Sequence, residues 1–409
     1  MSVMTAPRTL DRRGATRPGV GFWLIALVFL VSMAFSTVPT PLYPIYQQQD
    51  GFTSFTVTVI FAVYAVGVVT SLLLAGHVSD WVGRKRILLP ALGLEALAAV
   101  LFLAWPALPG LIIARFLTGL GVGMITATAT AFLLELHAGH RPAAGRGRFE
   151  LVSAAANLGG LGTGTLIAGA LAQFVTAPLR TPYLVFLVLL ALSAVAVAAV
   201  PETVVAPDVP PHYRPQRIRV AEHDRAGYAV AAASAFTAFA VFGLFTSLAP
   251  SFVAGALHHP GRLLAGVIVF LVFGAGAATQ AASGRLSGRQ RFATGLIAQA
   301  AGLIVLALGM HTASLALFLV GGAVAGGGAG VLFKSAVGAV AEMAAPNVRG
   351  EALAGLFLIA YLGLIGPALG LGIATRYLPA TTAMLWFSGI LLALLAAIAL
   401  VDRASRPAS

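Results

Sequence analysis

What most limits the folds open to this chain is a succession of apolar runs, each about 18 residues or longer and almost free of charge. A helix of that length crosses a hydrocarbon core of roughly 30 Å. Hydrophobic residues make up 59% of the 409 positions and charged residues 9%, against about 25% charged in soluble domains. So few charges cannot cover a soluble protein of this size, and the chain reads as an all-α polytopic membrane protein. Twelve spans are expected, at 21–43, 55–77, 87–105, 110–136, 149–175, 182–200, 227–252, 262–283, 292–311, 313–341, 351–376 and 380–401. The one long polar interval, "PETVVAPDVPPHYRPQRIRVAEHDRA" at 201–226, is a linker. It divides a six-helix bundle at 21–200 from a second at 227–401, with tails at 1–20 and 402–409.

The formal charge of +12 is a matter of topology. Twenty Lys and Arg fall on the side of both termini and three on the other, while Arg115 and Lys334 lie inside spans. That bias puts both termini in the cytoplasm. The cations form no single patch and are interleaved with spans, which excludes nucleic acid as a partner. Arg8, Arg12, Arg13 and Arg17 look like the basic start of a signal peptide. The run that follows lacks a short apolar stretch ending in a small-x-small site, so a retained first helix is expected. The absence of cysteine excludes disulfides and thiolate sites, and no other metal site or cofactor is expected. Arg preferred over Lys, with abundant Ala and Gly, points to a GC-rich bacterial source and its cytoplasmic membrane.

The halves repeat each other weakly. "GHVSDWVGRKR" (76–86) follows the second span, and "GRLSGRQR" (284–291), shorter by three and lacking the Asp, follows the eighth. Gly119, Gly121 and Gly123 match Gly326, Gly328 and Gly330 at a constant offset, which also matches Glu135 with Glu342. "RFE" (148–150) and "RGE" (349–351) head the fifth and eleventh spans. Repeats of this kind are a mark of transporters.

Gly76-x-x-x-Asp80-x-x-Gly83-Arg84-Lys85 after the second span, and Arg115-x-x-x-Gly119-x-Gly121-x-Gly123 in the fourth, resemble two motifs of the major facilitator superfamily. Pro201-Glu202-Thr203 is similar to a third found in several branches. The resemblance implies two pseudo-symmetric six-helix bundles around a central cavity, working by alternating access. It also implies that Asp80, Arg84 and Glu135 form a cytoplasmic gate that meets the start of the eleventh span, and that Arg115 influences a nearby carboxylate in proton coupling. Gly76 and Gly83 are expected at tight backbone positions that a Cβ disfavours. Asp80 and Arg84, four residues apart, can meet across a turn or reach a neighbouring helix.

An ionisable residue at bilayer depth costs roughly 2.5–3.5 kcal/mol on insertion scales, so each is a functional candidate. Arg115 either serves coupling or snorkels outward. Lys334 binds an anionic substrate group, pairs with a carboxylate, or reaches the cytoplasmic face. Glu95 is the protonation candidate near a membrane centre, or it pairs with a neighbouring helix. Gly119, Gly121, Gly123, Gly164 and Gly366 suit close helix crossings, and Pro367 a kink. In the fifth span the expected antiporter Gly-Pro-x-x-Gly-Gly core is degraded, with Thr165 and Ala168 in place of Pro and Gly. Tyr64, Asn157, Gln280 and Tyr361 are candidate cavity groups among apolar neighbours, suited to an amphipathic or weakly polar molecule. No nucleotide-binding motif and no cluster of catalytic groups is present, so an ATP-driven pump and an enzyme are excluded. The expected function is proton-coupled efflux of a small organic molecule by a monomer; the alternative is proton-coupled or facilitated uptake of a sugar or organic anion.

Overall fold

The computed structural model describes residues 18–141, 143–205, 207, 211–218, 224–345 and 348–404. The four arginines of the N-terminal tail, Arg219, and residues 405–409 of the C-terminal tail lie outside the described residues.

Among the described residues, twelve helices are long and apolar enough to cross a membrane. They are α1 (Pro18–Asp50), α2 (Ser54–Ala75), α3 (Arg84–Ala104), α4 (Leu108–His140), α5 (Gly147–Phe174), α6 (Thr181–Ala199), α7 (Arg225–Ser247), α8 (Arg262–Arg285), α9 (Gly288–His311), α10 (Leu315–Met343), α11 (Arg349–Ala374) and α12 (Ala380–Ala404). An even number of crossings brings the start of α1 and the end of α12 to one face, the terminal face; the opposite one is the far face.

Two helices break inside their expected spans, 21–43 and 227–252. The regular part of α1 stops at Thr37, a 3₁₀ turn covers Thr40–Leu42, and helix resumes over Tyr43–Asp50. Pro39, Pro41 and Pro44 lack the N–H that an unbroken ladder needs there. In the second half α7 ends at Ser247 rather than running on to 252, and a separate short helix, Ala249–Gly255, begins with Pro250 in its first turn. Both breaks lie toward the far face, in the first helix of each half. A third irregularity had no sequence forecast: α5 contains a π-helical turn at Ala155–Gly159, centred on Asn157. Such turns open a helix locally and recur at functional positions. By contrast α11 is helical throughout, with Pro367 inside it.

Glycines set how closely the helices of each half approach. Gly119 and Gly123 of α4 lie against the α2 backbone, while Gly121 lies against α3. Gly326 and Gly330 of α10 lie against α8, and Gly328 against α9. The internal repeat is therefore a repeat of packing: the same three positions meet the same two neighbours in both halves. Gly164 seats α5 on the backbone of α1 at Ala34. Gly366 differs from its expected place at a crossing; it is exposed, and a Cβ there would meet nothing. The halves meet through α5 against α8 and α2 against α11.

Candidate functional site

Between the halves lies a cavity of about 620 Å³. Tyr64, Arg115 and Asn157 from the first half and Gln280, Lys334 and Tyr361 from the second line it. Asn157 reaches it from the π turn of α5. Aromatic rings form part of the wall. Phe239 packs edge-on against Tyr361 with centroids 5.4 Å apart and against Phe333 at 4.9 Å, and Phe242 stacks on Phe273 at 4.6 Å. Sequence reading missed these rings. Phe239 and Phe242 stand one turn apart on α7, yet the chain holds 24 Phe and nothing in the pattern says which turn toward the cavity.

Arg115 sits at the far end of this space. It is 1% exposed, lies 4.7 Å from the centre of the Tyr64 ring, and donates from Nη1 to the Ser36 carbonyl at 2.6 Å. That carbonyl lies in the last turn before the break in α1. The snorkelling alternative is thereby excluded, and among the described residues no carboxylate forms an ion pair with Arg115. Its Nε is buried without a hydrogen-bond partner.

Glu95 is fully buried but does not line the cavity. Its Oε1 accepts from Ser32 of α1 at 2.6 Å, its Oε2 has no partner, and its side chain lies against Gly121, where a Cβ would come within 2.7 Å. The second half has a matching side chain. Gln299 of α9 is fully buried against Gly328, and its amide donates to the Thr237 carbonyl of α7 at 2.9 Å.

Lys334 joins the halves at the other end of the cavity. Its Nζ is 3.2 Å from Glu150 of α5 and 3.2 Å from the Gln280 carbonyl. Glu150 opens outward there, its side chain 47% exposed.

Away from the cavity, the loop after α2 builds a charge cluster at the terminal face. Arg84 donates to Asp80 at 2.6 Å, to Ser79 at 2.7 Å, and in a two-pronged pair to Glu135 at 2.6 and 3.2 Å. Glu135 also accepts from the Thr203 hydroxyl. Glu202 accepts the backbone N–H groups of Arg84, Lys85, Thr203 and Val204 at 3.0–3.2 Å, filling the donors left open at the start of α3. Gly83 turns the chain at φ +116°, and the Glu202 carboxylate fills the space beside it. Gly76 has an ordinary helical φ of −58°, and its tightness is one of space: a Cβ there would come within 2.7 Å of the Leu72 carbonyl oxygen. The cluster lies wholly within the first half and its connection, so here it ties α3, α4 and the linker together rather than holding the two halves shut. Sequence reading noted Pro201-Glu202-Thr203 as a motif and missed Glu202 and Thr203 as members of the cluster. In the second half Glu342, the counterpart of Glu135, is exposed.

The far face is closed between the halves. Ser251 donates to Gln47 at 2.6 Å, Thr165 to the Gly266 carbonyl at 3.1 Å, and Arg262 to the Ala172 carbonyl at 2.8 Å. Thr58 of α2 abuts Gly372 of α11, and Arg376 lies 4.6 Å over the Phe55 ring. Toward the terminal face lie the Lys334–Glu150 pair and a linker segment whose Gln216 N–H donates to the Leu73 carbonyl at 2.8 Å. A two-halved helical body with a polar-capped cavity, sealed at one face, has the form of a membrane transporter.

The sequence profile of the Major Facilitator Superfamily matches residues 24–294, and the chain belongs to that family. Its fold is similar to that of the nucleoside transporter NupG, with a TM-score of 0.74 over 93% of this chain and 99% of that one, at 13% identity. It is also similar to the human organic anion transporter MFSD10 (TETRAN), with a TM-score of 0.65 over 94% and 100% of the two chains at 16% identity. In sequence, 78 residues are 32% identical to the myo-inositol transporter 2 of Schizosaccharomyces pombe, covering 19% of this chain and 13% of that protein. The family and both similar structures are transporters rather than enzymes.

Proposed function

We propose that this protein is a proton-coupled secondary transporter that exports a small organic molecule by alternating access. Both termini lie in the cytoplasm of a bacterial cell, and the protein works as a monomer in the cytoplasmic membrane. The observation that carries this reading is the cavity sealed at the far face, with Glu150 and Lys334 at the ends toward the cation-rich face. In that orientation the structure stands open toward the cytoplasm, ready to load a substrate for export. Glu95 is the proton site, behind α1 and adjacent to the α4 glycines. Asp80, with its side chain 63% exposed, faces a groove that also holds Gly350 at the start of α11. Closure of the cytoplasmic mouth brings the positive end of that helix toward Asp80, while Arg84, on the turn made by Gly83, and Glu135 of α4 hold the loop rigid.

The test is substrate accumulation driven by a proton gradient. Inside-out vesicles should accumulate a transported compound when their lumen is acidic and lose it when the gradient is collapsed. Accumulation only in right-side-out cells would favour the second reading, proton-coupled or facilitated uptake of a sugar or organic anion. That reading is favoured by the position of Glu95 outside the cavity wall and by the cations on that wall. The inositol, nucleoside and organic anion transporters similar to this chain share with both readings a small organic cargo.

A further inference from the structure

The charged side chains on the cavity wall are Arg115, Arg291, Lys334 and Glu150. Three cations therefore face one acid, and that acid is already engaged by Lys334 at 3.2 Å. Both guanidinium groups carry a buried Nε without a hydrogen-bond partner. Such a group is costly to leave unsatisfied inside a protein, more so when charged. Arg291 stands in the first turn of α9, one turn on from Gly288, whose carbonyl accepts from Ser335, the neighbour of Lys334. Two cations thus flank the terminal end of the cavity, and one lies at its deep end beneath the Tyr64 ring. The rest of the wall combines Phe and Tyr rings with aliphatic, Ser and Thr side chains. A cationic cargo would meet a net positive wall, and a neutral one would leave the charge uncompensated.

We infer that the cargo is an amphipathic organic anion, an aromatic or aliphatic body bearing a carboxylate or similar acid group. This rests on the transport reading above. The acid group takes the place of Glu150 at Lys334 and satisfies Arg291, while the apolar body lies against the Phe239, Phe242 and Phe333 rings. Because Glu150 belongs to α5 and Lys334 to α10, the exchange also removes an ion pair that spans the two halves at the mouth. Loading of an anion then frees the halves to move, which couples binding to the conformational change.

The test uses the purified full-length protein and two probes of nearly equal shape, radiolabelled 2-naphthoate and neutral 2-naphthamide, in equilibrium binding. The anion should bind at least about tenfold more tightly than the amide. Lys334→Gln and Arg291→Gln should each erase most of that preference, Lys334→Arg should retain it, and Glu150→Gln should strengthen naphthoate binding several-fold without changing the amide. Thermal midpoints of the variants control for folding. Equal binding of the two probes, no binding of naphthoate, or a preference that survives the Lys334→Gln Arg291→Gln double variant overturns the inference. Alternating access is read separately, by the far-face cross-link described below. If that lock still stops transport while the anion preference is absent, the cargo class fails and the transport reading stands.

Discussion

Glu95 and Gln299 show what one atom can separate. Each reaches from the third helix of its half toward the first, and each adjoins the middle glycine of a Gly-x-Gly-x-Gly run, Glu95 through its side chain and Gln299 through its backbone. One half uses an acid and the other an amide of the same shape. Gln matches Glu in volume, and its amide oxygen can still accept the Ser32 hydroxyl. Glu95→Gln is therefore expected to keep the thermal midpoint and monodispersity of the protein while removing the dependence of transport on a pH gradient. Persistence of that dependence in purified proteoliposomes would reassign Glu95 to packing. Glu95 was legible in sequence as a lone acid at membrane depth. Its burial against Ser32 was not, because the rotation of α3 about its axis depends on contacts far away in the chain.

Among the elements, α3 shows how a helix start is secured from a distance. Its first turn lacks an acidic or hydroxyl side chain of its own at the N-cap, where Gly83 sits. The missing acceptor comes from Glu202, more than a hundred residues later, through bonds to the N–H groups of Arg84 and Lys85. Hydrogen bonds to a charged acceptor contribute about 1.5–3 kcal/mol each in favourable settings. Glu202→Ala should thus lower the unfolding midpoint by an amount corresponding to roughly 1–3 kcal/mol. It should also increase protease access to the 76–83 loop, whereas Glu202→Gln should recover part of the loss. The same scale holds the breaks in α1 and α7. Their prolines were visible in the sequence; that α7 would restart as Ala249–Gly255 was not, since a proline in the first turn is compatible with either a kink or a new helix.

For the molecule as a whole, the far-face seal makes the most direct test of movement. A Cβ built on Gly372 would lie 3.1 Å from the Thr58 Cβ, close to the roughly 3.5–4.5 Å span of a disulfide. The chain has no cysteine of its own. The Thr58→Cys Gly372→Cys double variant, once oxidised, should lose transport almost completely and regain it on reduction, while each single variant stays active under oxidant. Transport by the oxidised, cross-linked protein would show that the halves need not part at this face.

The membrane class, the number of spans and the family motifs are written in the chain, because the bilayer imposes a length of apolar residues that any reader of the sequence can measure. The glycine triplets likewise announce a duplication, since close helix approach admits little else. That Asp80 and Arg84 could meet was legible from their spacing, but it is the turn at Gly83, with φ +116°, that brings them together. What the chain could not reveal was where each side chain faces once twelve helices settle against one another. Tertiary packing placed Arg115 beneath Tyr64, set Lys334 against Glu150 across the two halves, brought Glu202 to the start of α3, and left Gly366 exposed. Those outcomes turn on helix rotation and on contacts between distant residues. Local sequence patterns do not encode them, because in a helix apolar on nearly every side no amphipathic stripe points toward the centre.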